Sequence, residues 1–143
     1  MDTARIEKRI GMRAPSEKIW EVIIDLPGWD RWNPYETGAQ GVIAFGGALS
    51  LTEDLPGVGE RRVTAAVGDW RPYSRLVWSE KRGWMFGMTR YFDIEEMEAG
   101  SCIVTTGALF TGLRGELFHD KHRPAIRGAY EAMLEQLRQT VEG

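Results

Sequence analysis

The chain is poor in the residues that build the commonest catalytic and metal centres. It has one cysteine, Cys102, and two histidines, His119 and His122, in 143 residues. A single cysteine forms no internal disulfide and no thiolate cage. Its place in a strand-like run reads as a small buried thiol. His119 and His122 lie three apart, but a catalytic zinc wants three good ligands and an open position, so no metal is expected. There is no excess of basic charge: the net charge is −3, with acids and bases interspersed. That pattern gives no phosphate-tracking surface, and nucleic acid is not expected as a partner. No apolar run approaches the roughly 18 residues of a membrane span. The opening MDTARIEKRIGM lacks the apolar core of a leader, so a cytoplasmic protein is the default. The Gly57-Val58-Gly59 stretch lacks the third glycine of a dinucleotide loop, no G-x-S-x-G elbow exists, and no base stands beside Cys102 in sequence. No cofactor is expected.

What the chain does have is apolar content (43% of residues) and a pattern of strands around one long helix. Its length suits one domain with a real core, taken as residues 1–143. Ala4 to Met12 alternates, with Ile6, Ile10 and Met12 on one face, and reads as a half-buried strand. Ala14-Pro15-Ser16-Glu17 opens a helix whose stripe is Ile19, Val22, Ile23 and Leu26, and Pro27-Gly28 ends it. Trp29 to Tyr35 reads as a short second helix capped by Asn33-Pro34.

Strands punctuated by glycine follow. Gln40 to Phe45 and Ala48 to Glu53 flank a turn at Gly46-Gly47. Arg61 to Val67 and Arg75 to Lys81 continue the meander around a loop from Asp69 to Ser74. Arg82-Gly83 reads as a tight turn, Trp84 to Glu96 as the longest strand, and Cys102 to Thr111 as the last. Gly112 to His122 is read as an approach to the final helix, with Pro124 a kink if that approach is itself helical. From Arg123 to Glu142, Ile126, Tyr130, Met133, Leu137 and Val141 recur at helical spacing. One apolar stripe after so many strands must bury itself against a sheet. Edge strands beside the first hairpin leave a homodimer open.

The order and several local patterns resemble the START/polyketide-cyclase (SRPBCC) superfamily of helix-grip proteins. The carriers are Ala14-Pro15 with Ile19-Trp20, Asp25, Trp29-x-x-Trp32-Asn33-Pro34, Leu76-x-Trp78, Arg90-Tyr91-Phe92-x-Ile94, Phe110-Thr111-Gly112 and the helix ending Leu137 to Glu142. The resemblance implies an α+β helix-grip fold, a curved antiparallel sheet of about seven strands wrapped around the C-terminal helix, with two short helices after the first strand. Members of that superfamily include lipid carriers, ligand sensors and ring-closing enzymes. Members often carry an acid two residues before the phenylalanine of the last strand, where this chain has Ala108.

Within the longest strand, alternation places Trp84, Phe86, Met88, Arg90, Phe92 and Ile94 on the concave face. Arg90 is the exception among them. A buried cation needs a carboxylate, a ligand anion or water. It is therefore either an anchor for the polar end of an apolar ligand or one half of an internal ion pair, unless it snorkels to solvent. Glu80 shares parity with Leu76 and Trp78 and is a candidate partner or general base, subject to the register across Arg82-Gly83. An exposed strand-end acid is the plainer reading. Trp32, Trp78, Trp84, Phe86 and Tyr130 supply flat surfaces that line a cavity or fill a core. No catalytic set can be assigned. Three functions fit: a binding module for a small hydrophobic (lipid-like, aromatic or polyketide-like) molecule, a cyclase or dehydratase, and a protein-interaction domain with a filled cavity.

Overall fold

A computed structural model describes residues 4–143. Residues 1–3, part of the opening stretch considered above for a leader, lie outside the described residues. Strand β1 (Ala4–Met12) is followed by helix α1 (Ser16–Ile24) and a 3-10 helix (Leu26–Arg31). Six strands come next: β2 (Glu36–Gly41), β3 (Ala48–Leu55), β4 (Gly59–Arg71), β5 (Arg75–Gly83), β6 (Phe86–Glu98) and β7 (Ser101–Thr111). Helix α2 (Leu113–Glu142) closes the chain. The strands form one antiparallel sheet in the order β1-β7-β6-β5-β4-β3-β2. It grips α2, which packs against β1, β7, β6 and β3. This is the helix-grip architecture the sequence pattern resembles.

The inner face follows from alternation. On β7 the even residues Cys102, Val104, Thr106, Ala108 and Phe110 are all buried, because successive side chains point to opposite faces. Ile126, Tyr130, Met133, Leu137 and Val141 of α2 meet that face as the periodicity requires. Register shifts in the pairing of β2 with β3, β4 with β5, β5 with β6 and β6 with β7 bend the sheet, as bulges do. The bending brings β2, at one edge, across the concave space toward β6.

Several boundaries differ from the sequence reading. Trp29 to Tyr35 does not make its own helix; the 3-10 helix begins earlier, at Leu26. Strand β2 stops at Gly41, and residues 42–47 form the connection to β3. The turn between β5 and β6 is centred on Trp84-Met85, not Arg82-Gly83, and Met85 takes a left-handed φ of 54°. Helix α2 starts at Leu113 and runs through Pro124. Among the described residues no helix is long and apolar enough to cross a membrane.

Candidate functional site

Two groups of charged side chains project from the concave face. The first is centred on Arg90, only 2% exposed. Its guanidinium donates from Nε to Glu36 Oε2 at 2.9 Å and from Nη2 to Glu36 Oε1 at 2.7 Å. Nη1 donates to Thr106 Oγ1 at 2.8 Å and to the Gly107 carbonyl at 2.7 Å. Glu36 is oriented in turn by the Asn33 amide, which donates to Oε1 at 3.2 Å. The Tyr130 ring lies 4.5 Å from the guanidinium carbon, and Trp78 and Phe92 lie at 5.1 and 5.5 Å. Burial opposes the charge of Arg90, but Glu36 overrides it and raises the pKa. The fork is fully used: two donors on one carboxylate, two on a hydroxyl and a carbonyl, and the last, from Nη2, on the Met133 sulfur at 3.6 Å.

The second group lies on β3, β4 and β5. Glu80 accepts both ends of the Arg61 fork, at 2.9 and 2.5 Å. Glu53 Oε1 is 3.7 Å from Arg61 Nε, inside ion-pair range but beyond a hydrogen bond. Burial, seconded by the neighbouring Glu36 charge, raises the Glu53 pKa and favours its neutral form. Arg82 is half-buried between the Phe86 and Phe118 rings, with its guanidinium carbon 4.8 and 4.7 Å from their centres. It donates to the Met88 sulfur at 3.4 Å, and among the described residues no carboxylate forms a salt bridge with it. Burial, then the nearby Arg61 charge among the opposing influences, leaves the Arg82 pKa lowered. The Tyr130 hydroxyl is buried without a hydrogen-bond partner, as are Glu53 Oε1 and Arg61 Nε. Burial raises the Tyr130 pKa, so the hydroxyl keeps its proton.

The residues singled out from sequence divide accordingly. Arg90 is the internal ion-pair member; with its donors occupied, it has none left to anchor a ligand. Its partner is Glu36, not Glu80, because the register sets Trp78 opposite Arg90 and Glu80 opposite Met88. Glu80 does face inward, but toward β4. Trp32, Trp78 and Phe92 pack with Trp29 at ring separations of 5.7 to 6.2 Å and fill the core beside the 3-10 helix. Met88 and Tyr130 are buried beside the charged groups, and Phe86 is half-buried near Arg82. Trp84 is 76% exposed at the β5–β6 turn, off the concave face where alternation placed it. Strand β6 begins only at Phe86, so Trp84 lies in the turn, where the alternation on which that placement rested no longer applies.

Glu36, Glu53, Arg61, Arg82 and Thr106 are the residues that sequence reasoning missed. Two carried a signal. Glu53 shares parity with Leu49, Leu51 and Leu55, and Arg61 with Val63, Ala65 and Val67, the same anomaly that singles out Arg90. Cys102 is buried, and burial raises its thiol pKa. His119 bonds to Asp120 at 2.9 Å and to the Arg5 carbonyl at 3.1 Å, and His122 packs on the Phe118 ring with centres 4.5 Å apart.

The fold has many solved counterparts at low sequence identity. A START superfamily protein from Mycobacterium smegmatis superposes with a TM-score of 0.75 at 16% identity, over 99% of this chain and 98% of that one. Protein NE0264 from Nitrosomonas europaea gives 0.77 at 14%, over 99% and 97%. The Zhui aromatase/cyclase from Streptomyces sp. R1128 gives 0.76 at 16%, over 99% and 94%. In the di-domain ARO/CYC BexL the match spans 96% of this chain but only 46% of the larger protein, with a TM-score of 0.72 at 15% identity. No curated relative matches the sequence. At these identities the superpositions establish the fold alone. The sequence model described as "Polyketide cyclase / dehydrase and lipid transport" matches residues 3–142, nearly the whole chain, and the protein belongs to that family.

Proposed function

We propose that the chain binds a small, largely apolar molecule between the concave sheet and α2. An oxygen-bearing group of that molecule meets the Tyr130 hydroxyl, the free Glu53 oxygen and the Arg82 guanidinium. The observation that carries this reading is that Tyr130 Oη and Glu53 Oε1 are buried without a hydrogen-bond partner, beside Arg61 Nε; the fourth such atom among the described residues, Trp32 Nε1, lies in the aromatic cluster by the 3-10 helix. A buried polar group left unsatisfied costs about 1–3 kcal/mol, so such atoms are where a guest's oxygen would be most strongly welcomed. Met88, Phe86 and Phe118 supply apolar surface nearby. The family, which embraces lipid transport as well as cyclisation, fits a guest of this kind.

A second reading rests on Glu53. A carboxyl whose pKa burial raises can give its proton to a carbonyl or a departing hydroxyl oxygen and then, as carboxylate, take a proton from carbon. That is the proton traffic of an aldol-type cyclisation followed by loss of water. The aromatase/cyclase among the fold's counterparts makes the comparison concrete.

The test is mass spectrometry of the purified protein, comparing native spectra with denatured extracts. The expected result is one stoichiometric apolar metabolite, retained by the wild type and depleted in Tyr130→Phe and Glu53→Gln. A protein that purifies empty and takes up no fatty acid, aromatic acid or polyketide-like probe would overturn the reading. Turnover of a bound poly-carbonyl probe, abolished by Glu53→Gln with binding kept, would favour the second.

A further inference from the structure

The β5–β6 turn and the start of α2 present a surface that the binding site does not explain. Trp84 is 76% exposed, Leu117 60%, Leu113 58% and Met85 41%. They belong to one place: the Met85 carbonyl accepts the Arg114 and Gly115 amides at 3.1 and 3.3 Å, and Arg114 Nη1 donates to the Trp84 carbonyl at 3.3 Å. Leu117, Arg114 and Lys121 share an indentation of about 260 Å³ with Phe86 and Phe118. Lys81 and Met85 border the next one, which also reaches Phe86. Large apolar side chains collected at a turn tip and a helix start, with no core beneath them to fill, mark an interaction surface. Met85 is held at a φ of 54°, which a non-glycine residue adopts at a cost, and it carries an exposed side chain there.

The charge around this surface identifies what it meets. Segments 81–86 and 113–123 hold Lys81, Arg82, Arg114, Lys121 and Arg123 against two acids, Glu116 and Asp120, in a chain whose net charge is −3. Asp120 is engaged by His119. Among the described residues, Lys81, Arg114, Lys121 and Arg123 have no carboxylate partner, whereas Arg61, Arg75, Arg90 and Arg138 do. A second copy of the chain meeting this face with the same face would oppose cation to cation. Exposed tryptophan, leucine and methionine ringed by long basic side chains suit the headgroup boundary of an anionic bilayer, where aromatic rings sit and lysines and arginines reach phosphates.

We infer that the β5–β6 turn and the first turns of α2 dock the protein on an anionic lipid surface, with Trp84, Leu113 and Leu117 entering the headgroup layer. Directly behind this face stand Phe86, Phe118 and Arg82, so docking sets the approach to Tyr130 and Glu53 against the membrane. Docking itself needs no ligand; its use, exchange of an apolar guest with the bilayer, rests on the binding reading above.

The experiment is sedimentation of the full chain with phosphatidylcholine vesicles, with or without about one-third phosphatidylserine, alongside tryptophan emission. The wild type is expected to sediment with the anionic vesicles, to be released by high salt, and to show a blue shift that Trp84→Phe removes. Arg114→Glu with Lys121→Glu should weaken binding at least about tenfold, and Trp84→Ser should weaken it with the melting temperature unchanged. Absence of sedimentation with anionic vesicles overturns the inference, as does undiminished binding of the charge-reversed variant. A solution dimer that Trp84→Ser dissolves would assign the face to self-association and overturn it too. Because vesicle binding is read without ligand, a protein that keeps its co-purified guest but ignores vesicles would sink the docking idea and leave the binding reading standing.

Discussion

Glu36 with Arg90, and Glu53 with Arg61, Glu80 and Arg82, occupy the concave face of the same sheet, yet they are finished to different degrees. Around Arg90 every strong donor meets an acceptor, and aromatic rings close over the pair. Around Glu53 one carboxylate oxygen and the Arg61 Nε face each other at ion-pair distance without a hydrogen bond, the Tyr130 hydroxyl has no partner, and Arg82 turns to rings and a sulfur instead of an acid. Both groups bear the desolvation cost of charge in an apolar interior. The first recovers it fully from within the chain, the second only in part, through Arg61 and Glu80. A satisfied polar group inside a protein is architecture; an unsatisfied one beside it is where outside chemistry can enter.

Removing Glu36 should break this contrast most severely. Glu36→Gln leaves the Arg90 guanidinium buried without a counter-charge, and a loss of about 3–5 kcal/mol is expected in urea unfolding. Glu80→Gln should cost less, about 1–3 kcal/mol, because its partner Arg61 is 27% exposed and keeps Glu53 at 3.7 Å. Equal losses would mean the two groups do not differ as described. Next in size is the pH dependence of Glu53. Its folded pKa lies above the ordinary value of 4.5, so between the two pKa values the folded state holds a proton that the unfolded state has lost. Its contribution is whole below about 4.5 and is lost as pH rises through the folded value. Glu53→Gln should flatten that decline and raise stability at neutral pH, checked by melting temperature against pH. The smallest effect is expected at Tyr130. Tyr130→Phe removes a hydroxyl with no partner, so stability should change by no more than about 1 kcal/mol, while affinity for the co-purified molecule falls roughly fivefold.

Local rules carry the fold far. Alternation located β1, the inner face of β6 and the start of β7, and helical spacing located the buried stripe of α2. Local rules fail where distant elements decide. Arg90 is visible as an inward cation, but its partner is 54 residues away on an edge strand that only sheet curvature brings near. Trp84 follows the parity of β6 in sequence, yet β6 begins only at Phe86, and the left-handed Met85 between them turns Trp84 to solvent. Pro124, read beside the start of a helix, lies well inside one, because the preceding turn is anchored by the Met85 carbonyl. Glu53 and Arg61 were legible by the same parity argument as Arg90, had it been applied to β3 and β4.

That proline divides α2 in time as well as in space. Without an amide hydrogen, Pro124 leaves the Asp120 carbonyl without its helical partner. Beyond it Ile126, Met133, Leu137 and Val141 hold the helix to the sheet, whereas ahead of it Gly115 is the buried residue. Segments with few buried contacts open at a fraction of the global free energy. The ten residues from Leu113 to His122 are held by the Met85 carbonyl, the Arg5 carbonyl and the Phe118 ring rather than by a continuous buried stripe, so they should open at lower cost than the grip beyond Pro124. Phe118 rides on this part, so on the binding reading proposed above the residence time of a guest behind it would follow the opening of one helix end, on a clock separate from unfolding.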